Sequence, residues 1–136
     1  MTALHQFYFE DVQLHGVLDT PGMTITEAHV SLYSGLCQDA PPEPGLVPEL
    51  LPLVLTPGLG WRVNQPPLAV MAFMGFEWEV LHPVRVGDTI RSRSRTAVKR
   101  SMREGGVIIE ERQVINQHGE VVQKGRFTFL VAKRPA

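Results

Sequence analysis

The chain has 136 residues, of which 43% are hydrophobic and 20% charged, and this predicts one globular domain over residues 1–136. Thirteen basic and fourteen acidic residues give a formal net charge of −1, so no overall field would attract nucleic acid or an anionic membrane. No apolar run approaches the roughly 20 residues that span a bilayer, and residues 1–10 lack the pattern of a signal peptide. A single cysteine, Cys37, excludes an internal disulfide and fits a cytoplasmic location.

The N-terminal part predicts a strand followed by a helix. Residues 1–23 are predicted to form a strand and loop that carry the apolar residues Phe7, Phe9 and Val12. A helix is predicted over Glu27–Cys37, because Thr26 can cap backbone N–H groups and Glu27 suits the first turn. The helix must end before Pro41. Apolar side chains recur at helical spacing along it, so Cys37 is interpreted as a core residue rather than a nucleophile.

A second helix is predicted over about Pro48–Val63, since proline is tolerated in a first turn. Pro52 and Pro57 should distort it. Its apolar content suits a helix covered by a curled sheet, with four side chains facing that sheet: Leu50, Leu51, Val54 and Leu55.

The second half of the chain predicts a long antiparallel meander. Four strands are expected, the first with a bulge near Gly75; they are Leu68–Val84, Thr89–Val98, Val107–Asn116 and Val121–Val131. The last two are joined by Asn116-Gln117-His118-Gly119, a hairpin turn. Such a meander needs a helix to cover one face, and the helices lie upstream. This order predicts an α+β hot-dog fold, an antiparallel sheet wrapped around a central helix.

Three blocks of the sequence resemble the MaoC-like family of hot-dog hydratases and dehydratases. They are Thr24–Val30 running on to Asp39, Val47-Pro48 before an apolar helix, and His82–Ile90 with Val114–Val122 after it. In that family an Asp and a His on a loop after the first helix hold a water that adds across an enoyl thioester double bond. The resemblance places Asp39 at the position of the Asp, but Pro44 occupies the position of the His. The turn Pro83-Val84-Arg85-Val86-Gly87-Asp88 reports fold rather than catalysis.

Two other carboxylates are candidates to replace the missing histidine. Glu43 lies in the proline-rich loop, where a solvated side chain is the simpler interpretation. Glu49 is predicted to lie in the first turn of the second helix, where free N–H groups could polarise a thioester carbonyl. A partner of the helix dipole is the simpler interpretation of this residue. Two carboxylates in different environments can divide acid and base roles.

Three functions remain open at this point. The first is a lyase-type reaction, hydration or dehydration of an acyl thioester or a related polyketide-like substrate, with Asp39 as the acid/base. The second is a thioester hydrolase that uses Glu49 or Asp39, and the third is a non-catalytic acyl-thioester-binding subunit.

The resemblance implies an acyl-CoA or acyl-carrier-protein thioester as partner and a homodimer, with no cofactor. The histidines show no metal-ligand spacing, so no metal is expected. Arg91, Arg93 and Arg95 form one strand face, which is either solvated or a contact for a CoA phosphate.

Overall fold

The computed structural model describes residues 5–136, which form two α-helices, a short 3-10 helix and six strands. The helices are α1 (Glu27–Cys37) and α2 (Leu51–Gly60), and the 3-10 helix is Phe9–Asp11. The strands are β1 (Val17–Asp19), β2 (Met23–Thr24), β3 (Val70–Val80), β4 (Thr89–Met102), β5 (Gly105–Ile115) and β6 (Val121–Val131). They make one antiparallel sheet in the order β1-β4-β5-β6-β3, with β2 also paired to β4. The predicted α+β architecture is confirmed.

The N-terminal segment differs from the predicted strand. Phe7 forms only an isolated bridge to Leu68, and Phe9 begins the 3-10 helix. The Asp11 carboxylate accepts a hydrogen bond from the backbone N–H of Tyr8 at 2.8 Å and so closes this turn locally. Phe9 and Val12 are nonetheless buried, in a cluster with the two strand residues Ile108 and Val131. A strand through Phe7, Phe9 and Val12 was therefore wrong, although these residues do contribute to the core. The strands of this region are the short β1 and β2, and residues 1–4 of the predicted range lie outside the described residues.

Helix α1 has the predicted bounds and begins with a capping box. The side chain of Thr26 caps the first turn, and the Thr26 backbone N–H donates to Nδ1 of His29 at 2.9 Å. The helix ends at Gln38, which has a left-handed conformation with φ of 56°. The buried stripe of this helix is limited to Val30 and Tyr33. Cys37 lies one turn further along and is exposed, so its assignment to the core was wrong.

Helix α2 is shorter than predicted and begins after the N-cap residue Leu50. Its buried residues are Leu51, Pro52, Thr56 and Leu59, a stripe at helical spacing that also includes the partly buried Leu55. Leu50 and Val54 lie outside this stripe and are 45% and 51% exposed. The expectation that these two residues face the sheet was therefore wrong.

The turns of the meander form as their sequences predict. Gly87 adopts a φ of 98°, while the Asp88 carboxylate accepts from the backbone N–H of Arg85 and from the side chain of Gln117, both at 2.9 Å. Gly119 adopts a φ of 77° in the β5–β6 hairpin. The pairing of β3 with β6 shifts register between Phe73 and Gly75, which confirms the bulge. Of the described helices, neither has the length and apolarity to cross a bilayer.

Candidate functional site

Asp39 lies in the loop that follows α1, one residue after the left-handed cap. Its Oδ2 accepts a hydrogen bond from the phenol of Tyr33 at 3.2 Å. Tyr33 is only 8% exposed and belongs to the same hydrophobic cluster as Leu51 at the start of α2. Burial and the neighbouring Asp39 carboxylate raise the pKa of the Tyr33 phenol, so it remains a protonated donor at neutral pH. The loop carboxylate is thus held by a group fixed in the core.

The other two candidate carboxylates have no comparable partner. The side chains of Glu43 and Glu49 are exposed, and neither makes a hydrogen bond or ion pair to any of residues 5–136. Glu49 precedes the N-cap of α2 and does not lie in its first turn, because the helix begins at Leu51. Its backbone carbonyl is anchored by the Nε2 of Gln123 at 2.8 Å, and Gln123 also accepts from the indole of Trp78 at 2.9 Å. Pro44 is exposed on the same loop as Glu43.

The face of the sheet covered by α2, here called the inner face, is unexpectedly polar. The pairing of β4 with β5 sets Ser94 opposite Arg112 and Thr96 opposite Glu110. Directly opposed residues share one face of a sheet. Thr56 of α2 meets this face, since its hydroxyl accepts a hydrogen bond from Nη1 of Arg112 at 3.0 Å. The inner face therefore carries hydroxyls and an ion pair beneath the helix.

The ion pair on the inner face joins Arg112 to Glu110 at 2.8 Å. The two side chains are only 11% and 18% exposed. The guanidinium of Arg112 also lies over the ring of Phe127, 4.1 Å from its centre, which is a cation–π contact. Nε of Arg112 is buried without a hydrogen-bond partner among the described residues. A buried N–H donor of this kind is uncommon in folded proteins.

A cavity of about 660 Å³ lies between the second half of α2, the N-terminal segment and the inner face. Thr56, Glu110 and Arg112 line it, together with apolar residues such as Leu68 and Ile108. Its volume falls within the range of small-molecule sites. Asp39, Glu43 and Glu49 do not line this cavity. The three carboxylates that the sequence suggested therefore lie outside this cavity.

The opposite face of β4 carries the row of arginines. Asp19 of β1 binds both Arg91 and Arg93, at 3.0 and 2.8 Å, and Arg95 lies 3.6 Å from Glu111. The hydrogen bond from Arg93 is the main reason why the pKa of Asp19 falls below its usual value. Each of these arginines has a carboxylate partner, but the three share Asp19 and Glu111, so the row is a solvated ion-paired surface that keeps a positive charge.

One feature of the sequence could have predicted that Arg112 and Glu110 form a buried pair. They lie two residues apart on β5, so they point to the same side of the strand. β5 is flanked by strands on both sides, and a charged pair on a central strand is unusual unless it is buried together.

Among the described residues, the structure brings together no group of three His, Cys, Asp or Glu side chains that could hold a metal ion.

No family model matches the sequence, and no curated protein matches it. Solved structures do match the fold. A monoamine oxidase regulatory protein from Archaeoglobus fulgidus is 25% identical over 96% of this chain and 97% of its own, with a TM-score of 0.85.

Two further structures cover nearly all of the chain at lower identity. A MaoC-like dehydratase from Rhodospirillum rubrum is 18% identical over 95% of this chain and 99% of its own, with a TM-score of 0.77. The R-hydratase PhaJ1 from Pseudomonas aeruginosa is 14% identical over 95% of this chain and 88% of its own, with a TM-score of 0.79. The chain therefore has the hot-dog fold that is also the fold of a MaoC-like dehydratase and an R-hydratase.

Proposed function

We propose that the protein hydrates or dehydrates an acyl thioester, carried by CoA or by an acyl-carrier protein, with Asp39 as the acid/base. The hydrogen bond from Tyr33 to Asp39 carries this proposal. It distinguishes Asp39 from Glu43 and Glu49, whose exposed side chains have no partner among residues 5–136. The hot-dog fold of a dehydratase and of an R-hydratase supports the reaction class.

One carboxylate held in this way is sufficient for a balanced reaction. Oδ2 of Asp39 accepts from the phenol of Tyr33, while Oδ1 is free of partners among the described residues. In hydration, Oδ1 takes a proton from a water as the water oxygen bonds to the β-carbon of an enoyl thioester. The carboxylic acid then returns a proton to the α-carbon. Tyr33 positions the carboxylate throughout and remains protonated, as its raised pKa requires.

The absence of a histidine at Pro44 limits the substrates that we expect. A water bound by Asp39 lacks the second side chain that the resemblance would supply at this position. General acid–base groups contribute roughly 10²–10⁴-fold each. Hydration of a simple straight-chain substrate such as crotonyl-CoA should therefore be slow, and the physiological substrate should supply a polar group of its own.

We further propose that the protein acts as a homodimer formed through β3. This strand lies at the edge of the sheet, and four of its large apolar side chains are about half exposed: Met71, Phe73, Met74 and Phe76. A long exposed apolar edge favours pairing with another strand. A second copy of the chain offers the same edge, which a two-fold axis can join to the first.

The test is an assay of enoyl and 3-hydroxyacyl thioesters for water addition and loss, with release of free thiol measured in parallel. Asp39→Asn keeps the shape of the side chain and should lower turnover by on the order of 10²-fold or more. Tyr33→Phe should lower turnover by roughly tenfold with little change in KM, because it removes only a positioning hydrogen bond. Glu43→Gln is the matched control and should leave the rate unchanged.

The same assay separates the rival functions. Thiol release that is lost in Glu49→Gln and retained in Asp39→Asn would replace the proposal with a thioester hydrolase. Binding of thioesters without any turnover would favour a non-catalytic subunit. Fast hydration of crotonyl-CoA by the wild type would contradict the expected restriction by Pro44.

A further inference from the structure

Arg112 is a buried cation placed in the wall of a cavity. Two of its N–H groups are used within the protein, Nη1 on Thr56 and Nη2 on Glu110, at 3.0 and 2.8 Å. The Nε–H has no partner among the described residues although the atom is buried. Each Nη carries two N–H groups, so one N–H of each remains for a further acceptor in the cavity that Arg112 lines.

The cavity around Arg112 is lined by several hydroxyl side chains, which the binding of a hydrocarbon chain would not require. Thr56 and Ser92 are each 2% exposed, and Thr96 is 9% exposed. Burying a polar group costs free energy unless it is hydrogen-bonded. A cavity that served only a saturated chain would be better lined by apolar residues. Of the hydroxyls that line it, those of Thr20 and Thr56 are hydrogen-bonded within the protein. Those of Ser92, Ser94 and Thr96 make no hydrogen bond to the described residues and are the ones open to a ligand.

The position of the cavity along α2 indicates which part of a substrate it would receive. Tyr33, which holds Asp39, packs in the same cluster as Leu51 at the beginning of the helix. From this helix and the residue after it, the cavity is lined by Thr56, Pro57, Gly60 and Trp61. Thr56 is five residues from Leu51, which is about 8 Å along a helix that rises 1.5 Å per residue. A chain that reacts beside Asp39 would reach the cavity with its far end.

The charge of the site favours a neutral acceptor. Glu110 balances Arg112 at 2.8 Å, so the pair has no net charge to neutralise a second anion. A carboxylate brought beside Glu110 would meet a like charge in a partly buried site. A ketone or hydroxyl oxygen can accept from Arg112 without this repulsion.

We propose that this cavity binds the distal part of an acyl chain that carries a neutral oxygen substituent, and that Arg112 donates the hydrogen bond that recognises it. The inference deepens the proposed function and rests on it for the thioester end of the ligand. Arg112 acts here as a specificity-determining residue, remote from the reacting carbons.

The experiment measures binding by calorimetry with matched pairs of N-acetylcysteamine thioesters. Hexanoyl and octanoyl chains are compared with the same chains bearing a ketone at the penultimate carbon. An apolar cavity would bind the ketones less tightly, because an unpaired carbonyl would be buried. We expect at least one ketone to bind roughly tenfold to 100-fold more tightly than its parent chain.

Arg112→Met should remove this preference, and Arg112→Lys should remove most of it while keeping a cation beside Glu110. The lysine variant serves if the methionine variant fails to fold. Arg126→Met is the matched control, because Arg126 is an exposed arginine of the adjacent strand, and it should retain the preference. A wild type that binds ketone and parent chains equally, or that binds neither, would overturn the proposal. A preference that survives both Arg112 variants would do the same.

Two outcomes separate this inference from the proposed function. A ketone preference that depends on Arg112, in a protein that neither hydrates nor dehydrates any thioester, would support the binding site and refute the reaction. Hydration with no preference would refute the binding site alone. An adipoyl thioester that binds more tightly than the six-carbon ketone would overturn the assignment of a neutral acceptor.

Discussion

The packing of α2 against the inner face gives a sharp test of the fold through the pair Leu59→Ala and Val54→Ala. Leu59 is 1% exposed and Val54 is 51% exposed, although both lie on the same ten-residue helix. Removing a buried leucine side chain loses its transfer free energy and leaves a cavity, so Leu59→Ala should cost about 2–5 kcal/mol. Val54→Ala should cost less than about 1 kcal/mol, because half of the side chain is already in water and alanine favours a helix.

The assay is urea denaturation of both variants and the wild type at one fixed protein concentration, since association would couple stability to concentration. The free energy of unfolding should fall for Leu59→Ala with little change in the dependence on urea. Equal losses for the two variants, or a loss below about 0.5 kcal/mol for Leu59→Ala, would mean that α2 does not cover the sheet as described.

Two further predictions concern the edge strand β3 and the arginine row on the face of β4 opposite the inner face. Met74→Lys places a charge on the exposed edge of β3, and light scattering should show that this variant is a monomer. Leu14→Lys, at a site of similar exposure, should leave the dimer intact. A dimer that persists in Met74→Lys would place the interface elsewhere. The Arg93 guanidinium holds the folded-state pKa of Asp19 below its ordinary value of 3.8. The ion pair therefore stabilises the protein at pH values above 3.8, and this stabilisation is lost as the pH falls through the lowered pKa. Asp19→Asn should thus cost at most about 1 kcal/mol at neutral pH, because both side chains are nearly half exposed, and thermal melts should show the difference vanish in acid. A difference that is independent of pH would contradict this account.

The strands after residue 80 were predictable because their signals are local. Gly87, Asp88 and Gly119 fix their turns through backbone conformation and short-range hydrogen bonds, which adjacent residues decide. The start of α1 was predictable for the same reason, since Thr26 and His29 cap it within one turn. Local chemistry therefore gave the right elements, and their order gave the hot-dog fold.

The remaining features depend on contacts between distant parts of the chain. Phe7 and Phe9 alternate as in a strand, but a local turn and packing against Ile108 decide their conformation. The exposure of Cys37 could not be judged from helical spacing, since spacing does not show that the last turn of α1, which includes Leu36 at 83% exposure, lies in solvent.

The candidate site was predicted only in part. Asp39 was chosen by its position, but the hydrogen bond from Tyr33, six positions upstream, was not predicted. The cavity was missed because nothing in the local pattern of β4 shows that its hydroxyl residues are covered by a distant helix. Ser92 and Thr96 are in fact buried, and Thr56 reaches Arg112 from a helix 56 residues away in sequence.

The contribution of the Glu110–Arg112 pair to the free energy of unfolding tests whether the pair is needed for the fold or serves a ligand. Two charges that are 18% and 11% exposed lose hydration on folding, and apolar residues of similar volume often replace such a pair at no cost or with a gain of about 1–4 kcal/mol. Removing one partner instead leaves an uncompensated charge and costs about 3–5 kcal/mol. We therefore expect Arg112→Met alone to be strongly destabilising in urea denaturation. The double variant Glu110→Leu with Arg112→Met should be close to the wild type or above it, and should bind ketone and parent thioesters alike. A double variant as unstable as the single one would show that the pair is needed for the fold, and the argument that its charges serve a ligand would then fail.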